Sequence, residues 1–233
     1  MPPSALTIAG SDSGGGAGIQ ADLKTFAAHG VHGLSAIAAL TAQHTRGVTA
    51  VHVPDVVFLR AQVDACFDDF DVRVVKLGML ATGEVIATVA DLLAAHASVP
   101  VVLDPVMVAT SGAKLLADDA LDALRTRLLP RATIATPNLP EAELLLGESI
   151  GDVVVDVFAD DAGLHEIRHP RLSLEAHGTG CTLASAIAAR LALGDDVRAA
   201  CIAASDYVHR ALVSGSRPGR SDVLVLDHFG AAR

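Results

Sequence analysis

Short apolar runs alternate along this chain with longer segments in which apolar residues recur at helical spacing. The short runs predict buried strands at residues 5–9, 35–40, 72–77, 99–103 and 133–135. The longer segments predict helices at residues 20–28, 57–67, 84–95, 117–129 and 140–146. This alternation predicts the α/β class, with a doubly wound, mostly parallel sheet that carries helices on both faces.

The pattern changes near residues 153–174. Valines at 153–155, a polar turn at 160–163 and a second strand-like segment at 164–174 predict a small antiparallel hairpin. Two longer helices are predicted after it, at residues 179–193 and 196–214. We find no internal repeat and no linker, so we expect residues 1–233 to form a single domain.

Composition narrows the class of protein. The chain is 51% apolar, 19% charged and carries a formal net charge of −10, which excludes a disordered chain and argues against nucleic acid as a partner. The three cysteines, Cys66, Cys181 and Cys201, lack CxxC spacing, which indicates free thiols and no zinc site. No basic leader and no run of about 18 apolar residues is visible. We therefore expect a cytoplasmic protein with no membrane partner.

Polar or flexible residues follow five of the apolar runs. Because the carboxyl ends of parallel strands meet at one edge of a sheet, these residues predict a ligand crevice there. They are Gly10 to Asp12 with the glycines at 14–18, Gln43 with His44, Gly78 with Met79, Asp104, and Asn138 with Glu141.

The glycine-rich segment resembles a dinucleotide-binding fingerprint. Residues 16–21 fit G-x-G-x-x-A between a strand and a helix. However, the second strand ends in Gln43 and His44 without the carboxylate that would hold a ribose, and no Walker lysine follows any glycine. A dehydrogenase is therefore a minor alternative, and a tight turn explains the glycines equally well.

A second glycine segment begins the helix predicted at 179–193. Gly178, Thr179, Gly180 and Cys181 would direct backbone N–H groups at an anion, and the helix dipole would add positive charge. Cys181 in that first turn is expected to have a lowered pKa. A cysteine hydrolase using His177 is the rival interpretation, but it has no use for Asp104, Asn138 and Glu141.

Oxygen ligands from separate strand ends suit Mg²⁺, which binds protein through one or two carboxylates plus phosphate oxygens. Asp104 follows an apolar strand, and Asn138 and Glu141 are three apart at a helix start. Alone, the last two are explained by an N-cap and its capping-box partner. With Asp104 and the anion-binding turn added, they favour phosphoryl transfer.

Several segments together closely resemble the hydroxymethylpyrimidine/phosphomethylpyrimidine kinases of thiamine biosynthesis, which have the ribokinase-like fold. These segments are residues 9–22, 41–43, 76–79, 104–107, 136–142 and 177–182, in this order. The resemblance implies an ATP- and Mg²⁺-dependent kinase that phosphorylates the aminopyrimidine and then its monophosphate. A homodimer is also expected.

The resemblance also assigns roles. Gly10, Asp22 and Gln43 would bind the aminopyrimidine, with Met79 lining its pocket. Gly178, Thr179 and Gly180 would form the anion hole, with Cys181 as the catalytic base. Asp104, Asn138 and Glu141 would organise the ATP phosphates, with Asp104 and Glu141 holding the metal.

One departure from the family pattern falls between Ile150 and Gly151. There the family has a further α/β unit of about 30 residues, ending in a Lys-Gly-Gly-His stretch that is absent here. Either the chain is shortened, which would put ATP affinity in doubt, or the numbering closes over an omitted stretch. The unpaired ladder groups that a lost strand would leave favour the second explanation.

Two other functions stay open on the sequence. A pyridoxal or pyridoxine kinase of the same superfamily would share the glycine segment and Cys181. A chain that is truly shortened could instead be a non-catalytic pyrimidine-binding protein.

Overall fold

The fold is described from a computed structural model. It covers residues 2–108, 115–117, 120–147, 156–160, 163–170, 172 and 174–232. The predicted junction between Ile150 and Gly151 lies outside the described residues. Among the described helices, none is long and apolar enough to cross a membrane.

A six-stranded sheet forms the centre of the molecule, in the order β3-β2-β1-β4-β5-β6. β3 pairs antiparallel with β2, and the other neighbours pair in parallel. The strands are β1 (Ser4–Asp12), β2 (His32–His44), β3 (Gly47–His52), β4 (Val72–Leu77), β5 (Val101–Leu103) and β6 (Ile134–Ala135). This arrangement confirms the predicted mostly parallel sheet.

Helices connect these strands. They are α1 (Gly18–Ala28), α2 (Val56–Asp69), α3 (Gly83–Ala95), α4 (Ala120–Ala123) and α5 (Leu139–Leu146). The regular part of α4 is shorter than the helix predicted at 117–129. A π-helical turn at Leu124–Leu128 and a 3-10 turn at Leu129–Arg131 follow it. Pro130, which lies in the second of these turns, has no N–H to continue the helical bonding.

The remaining elements complete one face. They are β7 (Asp156–Asp160), β8 (Gly163–Ile167), β9 (Ala176–His177), α6 (Thr179–Ala192), α7 (Val197–Val213) and β10 (Leu224–Val225). β7 and β8 pair antiparallel, which confirms the hairpin, and β9 pairs in parallel with β10.

Alternate residues of the central strands face two separate apolar cores. Leu6 and Ile8 of β1 belong to the core that contains Leu59 of α2 and Ile86 of α3. Ala5, which precedes Leu6 and faces the opposite side of the sheet, belongs to the second core, which lies against α1, α6 and α7. Both faces of the sheet are therefore covered by helices, as a doubly wound fold requires.

β3 was not predicted. Gly47–His52 is an edge strand with mostly exposed side chains, so it lacks the apolar run by which buried strands are recognised. It pairs with Leu40–His44 of β2. β2 therefore continues four residues past its predicted end at Leu40.

Candidate active site

A cavity of about 200 Å³ opens at the carboxyl edge of the sheet, where the sequence predicted a crevice. The ends of β1, β2, β4 and β5 contribute to its walls, together with the start of α6. Ten of the eleven predicted site residues line it: Gly10, Gln43, Met79, Asp104, Asn138, Glu141, Gly178, Thr179, Gly180 and Cys181. The eleventh, Asp22, lies behind the wall.

The glycine-rich turn after β1 closes around a carboxylate of the protein itself. Asp12 Oδ1 accepts from Gly14 N at 2.7 Å, and Asp12 Oδ2 accepts from Gly16 N and Ala17 N, each at 2.9 Å. Burial alone would raise the pKa of Asp12, but the hydrogen bonds from His177 and these amides hold it below its ordinary value. These N–H groups of the turn donate to Asp12 and are not free to bind the phosphates of a dinucleotide. This agrees with the argument from the sequence against a dehydrogenase.

The same turn packs directly on the start of α6. Gly178 has φ +86°, and a Cβ there would lie 1.9 Å from Gly16 O. A Cβ on Gly16 would lie 2.8 Å from Cδ2 of His177. These two glycines therefore allow the turn and the helix start to form adjoining walls of one cavity.

Gln43 is anchored through its backbone and its side chain. Its backbone N donates to Ser13 Oγ at 2.8 Å, and its carbonyl accepts from the same hydroxyl at 2.7 Å. Its side-chain amide contacts Thr41 Oγ1 at 2.9 Å and His177 Nε2 at 3.0 Å. His177 Nε2 lies 3.0 Å from Asp12 Oδ2. The crevice predicted from the sequence contained both Asp12 and Gln43, but His177 was not placed beside them, because it lies in a distant part of the chain.

Gly10 and Met79 meet at the apolar part of the wall. A Cβ on Gly10 would lie 3.1 Å from Met79 Sδ. Met79 is buried and packs with Ala39 and Ala81 in a small apolar cluster. A flat ring could lie against this surface.

Asp22 is fully buried, and its carboxylate is occupied by other side chains. It accepts from Thr7 Oγ1 and Ser185 Oγ, each at 2.6 Å, and from Lys76 Nζ at 3.0 Å. It is not among the residues that line the cavity. The structure therefore places Asp22 beneath the cavity, where it contacts Lys76, and not in the direct binding position that the resemblance implies.

Lys76, Asp104 and Cys181 form a polar cluster at the inner end of the cavity. Lys76 Nζ is 3.7 Å from Asp104 Oδ2, and this oxygen has no hydrogen-bond partner among the described residues. Burial lowers the pKa of Lys76, but the charges of Asp22 and Asp104 outweigh it and raise that pKa overall. Burial raises the pKa of the Asp104 carboxyl, although Lys76 opposes the change.

The predicted low pKa of Cys181 is wrong. Burial, together with the carboxylates of Asp104 and Asp22, raises the pKa of the thiol to about 12. Lys76 and the backbone N–H of Gly18 act in the opposite direction but do not outweigh it. The start of α6 was the only influence on this pKa that the sequence made visible, and the desolvation of the buried thiol has the larger effect.

Asn138 and Glu141 form a capping box at the start of α5, as the simpler of the two interpretations of these residues predicted. Asn138 Oδ1 accepts from Glu141 N at 2.9 Å, and Glu141 Oε2 accepts from Asn138 N at 3.0 Å. Both residues also line the cavity. Burial and the nearby Asp104 raise the pKa of Glu141.

A metal centre made only of protein groups is not found in the part of the chain that the structure describes. No group of three or more His, Cys, Asp and Glu side chains there could hold a metal ion. The unpartnered oxygen of Asp104 and the nearby Glu141 carboxylate, both at the cavity, fit Mg²⁺, which takes few protein ligands and completes its shell with water and phosphate.

A second cavity of about 350 Å³ lies on the other side of the α6 start. Thr179 lines both cavities. The second is bordered by His169 and His209, whose rings stack with centroids 4.8 Å apart, and by apolar residues such as Leu174 and Val208. No motif in the sequence joined these residues, because the site forms only when α7 packs beside the segment after β8.

Comparisons with known proteins agree with this geometry. A family model described as phosphomethylpyrimidine kinase matches residues 12–154 and 148–225. The chain belongs to the phosphomethylpyrimidine kinase family. Hydroxymethylpyrimidine/phosphomethylpyrimidine kinases from Streptomyces coelicolor and Rhizobium meliloti are each 46% identical to it, over 92% and 93% of this chain and 90% and 93% of the relatives.

Solved structures show the same fold. The ADP complex of Bacillus subtilis pyridoxal kinase has a TM-score of 0.89 at 30% identity, covering 99% of this chain and 98% of that one. Phosphomethylpyrimidine kinase from Clostridium difficile has a TM-score of 0.79 at 37% identity, covering 89% and 100%. These neighbours confirm the predicted ribokinase-like fold and the predicted kinase class.

The kinase relatives carry residues that have no counterpart in this chain. The alignment with the Streptomyces coelicolor enzyme runs over 243 positions, more than the 233 residues of the whole chain. The two family-model matches overlap at residues 148–154, around the predicted junction.

Proposed function

We propose that this family member uses ATP to phosphorylate 4-amino-5-hydroxymethyl-2-methylpyrimidine and then converts the monophosphate to the diphosphate. The observation that carries the proposal is a single cavity with the Gln43 amide and the start of α6 both in its wall. Such a cavity could hold an aminopyrimidine by its polar edge while its hydroxymethyl group lies near Cys181.

Each part of the cavity has a proposed task. Gln43 would pair with the ring nitrogen and exocyclic amine, and Gly10 with Met79 would contact the ring face. The backbone N–H groups at Gly178, Thr179 and Gly180 would stabilise the charge on the transferring phosphoryl group.

Cys181 is the proposed base. Its sulfur would accept the hydroxymethyl proton while the hydroxymethyl oxygen attacks the terminal phosphorus of ATP and ADP leaves. This requires the thiolate, which the raised pKa of the thiol disfavours. Lys76 is the neighbouring positive charge that would stabilise it.

ATP is proposed to span the two cavities. Its phosphates would lie at the α6 start, near Asp104, Asn138 and Glu141, and its base would enter the second cavity beside the stacked rings of His169 and His209. Asp104 and Glu141 would hold Mg²⁺, which when bound neutralises charge on the phosphates.

A pyridoxal kinase is the second candidate, because two pyridoxal kinases of known structure, from Bacillus subtilis and Staphylococcus aureus, match 99% of this chain with TM-scores of 0.85–0.89. Their identity, 28–30%, is lower than the 40–46% of the curated pyrimidine kinases of similar length. We therefore rank the pyrimidine first.

We also propose a homodimer that acts in the cytoplasm. Large apolar side chains are exposed at the start of α2, with Val57 73% and Phe58 64% exposed, and a second copy could cover them. Cys66, Cys181 and Cys201 are free thiols, as a reducing compartment would keep them. Sedimentation analysis of wild type against Phe58→Glu tests the dimer, which the charged variant should weaken.

The deciding experiment is a set of steady-state assays with the pyrimidine, its monophosphate and pyridoxal. Turnover of pyridoxal alone would replace the proposed substrate, and calorimetric binding of the pyrimidine without ATP turnover would favour a non-catalytic binder. In the same assay Gln43→Ala should raise KM for the pyrimidine about tenfold or more, because a buried polar partner is lost, and should leave KM for ATP unchanged. An unchanged pyrimidine KM would remove Gln43 from the substrate site.

A further inference from the structure

Four side chains form a continuous row of polar contacts in one wall of the cavity. Thr41 Oγ1 contacts the Gln43 amide, the amide contacts His177 Nε2, and His177 Nε2 contacts Asp12 Oδ2. Their elements are separate: β1 supplies Asp12, β2 supplies Thr41 and Gln43, and β9 supplies His177. Counting protons along this row determines how the amide is oriented.

The first count is made at Thr41. A hydroxyl has one proton, and we assign it to the carbonyl oxygen of Ser11, which can only accept and which lies closer, at 2.7 Å, than the Gln43 amide at 2.9 Å. Thr41 Oγ1 therefore has only lone pairs to offer Gln43. The amide atom that faces it must be the nitrogen, which has the same shape as the oxygen and is assigned by its partners.

The second count is made at His177. The carboxylate of Asp12 accepts and does not donate, so the nitrogen at 3.0 Å from it, Nε2, must carry a proton. The amide atom that contacts this N–H must then be the oxygen of Gln43. The two counts use different partners and give the same orientation.

We propose that Asp12 and His177 are positioning residues that fix the Gln43 amide with its nitrogen toward Thr41 and its oxygen toward His177. Asp12 holds the ring with a proton on Nε2, and His177 shares that proton with the amide oxygen. Asp12 is itself held by Gly14, Gly16 and Ala17. The glycine-rich turn therefore determines the orientation of the binding group through two intervening side chains.

This orientation specifies the ligand's polar edge. After its contacts with Thr41 and His177, the amide has one N–H and one lone pair left for a ligand. A ring with an acceptor nitrogen beside an exocyclic amine matches them in one direction only. The amine lies on the His177 side and the ring nitrogen on the Thr41 side. This step rests on the proposed function, whereas the orientation of the amide does not.

The orientation is tested first without a ligand. Nitrogen-15 NMR of the full-length protein with labelled histidines, assigned by loss of one ring signal in His177→Gln, reports which ring nitrogen carries a proton. A proton on Nε2, in a neutral or a charged ring, is expected. An unprotonated Nε2 would overturn the proposal.

Kinetics test the consequence. Gln and Met side chains have equal length, but only Gln can donate an N–H to the Gln43 amide. His177→Gln should therefore keep KM for the pyrimidine within about threefold of the wild-type value, whereas His177→Met should raise it about tenfold. Neither should change kcat or KM for ATP by more than about twofold. His32→Met, at the opposite end of β2, is the control and should match wild type.

Two further results decide between explanations. For an analogue without the exocyclic amine, the KM difference between His177→Met and wild type should disappear. Equal KM values for the Met and Gln variants, or a fall in kcat alone, would mean that His177 does not act through the amide. Failure of wild type to phosphorylate any pyrimidine would instead refute the proposed function and leave the NMR result standing.

Discussion

Lys76 Nζ lies 3.0 Å from Asp22 Oδ1, and neither side chain reaches solvent. Asp22 also accepts from Thr7 of β1 and Ser185 of α6, so one carboxylate connects α1, β1, β4 and α6. This connection lies directly beneath Cys181, at the point where α6 must be placed accurately against the sheet.

Breaking this pair should strongly destabilise the fold. Lys76→Met leaves Asp22 as a buried charge without a counter-charge, and we expect the free energy of unfolding to fall by about 3–5 kcal/mol. Urea unfolding measures it. Arg73→Met, on the same strand but in an exposed pair with Asp71, is the control and should cost less than about 1 kcal/mol. Equal losses would show that the buried pair has no special structural role.

Replacing Cys181 should affect the chemical step. Cys181→Ala is expected to lower kcat by about 10²–10⁴, the usual contribution of a positioned base, with both KM values nearly unchanged. Cys181→Asp should recover part of the rate, because a carboxylate can also accept a proton. Wild-type kcat in the alanine variant would assign catalysis to the helix start alone.

The pKa of this thiol also predicts its reactivity. Since burial raises it to about 12, alkylation of Cys181 in the ligand-free protein should be slow at neutral pH. Mass spectrometry after timed treatment with iodoacetamide checks this, and rapid selective labelling of Cys181 would contradict it.

Asp104 should be required for metal-dependent activity. We expect Asp104→Asn to raise the Mg²⁺ concentration for half-maximal activity by about tenfold or more. Circular dichroism should show an intact fold, because Asp104 follows the end of β5. Asp91→Asn, 60% exposed on α3, is the control. Turnover without any divalent metal would refute the assignment.

His228 should make stability depend on pH. Burial lowers the pKa of its ring to about 4, so between pH 4 and about 6.5 the unfolded chain binds a proton that the folded chain does not. Stability therefore falls as pH falls through this range, and His228 should contribute about 2 kcal/mol of the loss between pH 7.5 and 5. Urea unfolding of His228→Gln should show a pH dependence smaller by that amount, whereas exposed His32→Gln should retain it. An unchanged dependence in His228→Gln would contradict the buried neutral ring.

The sequence predicted the parts of the fold that depend on local pattern. Leu6 and Ile8 alternate with Ala5 and Thr7, and this alternation is sufficient to assign a buried strand. β3 was missed because most of its side chains are exposed, and because it pairs with the part of β2 that lies beyond the predicted strand. The cavity was predicted because parallel topology alone brings strand ends together.

The electrostatics of the site could not be read from the sequence. A helix start argues for a reactive Cys181, yet the pKa of its thiol depends on burial and on Asp104, Asp22 and Lys76, which are far away along the chain. The same applies to Asp22, whose partners Thr7, Lys76 and Ser185 become neighbours only when the sheet and α6 are packed.

The hydrogen bonds around Asp12 bear on the strength of ligand binding. A glycine-rich loop is ordinarily mobile when empty, and a ligand that orders it loses affinity to that ordering. Here an internal carboxylate already occupies the N–H groups of Gly14, Gly16 and Ala17. The protein therefore contains, within its own chain, the anion that shapes this wall, and the wall is complete before any ligand arrives.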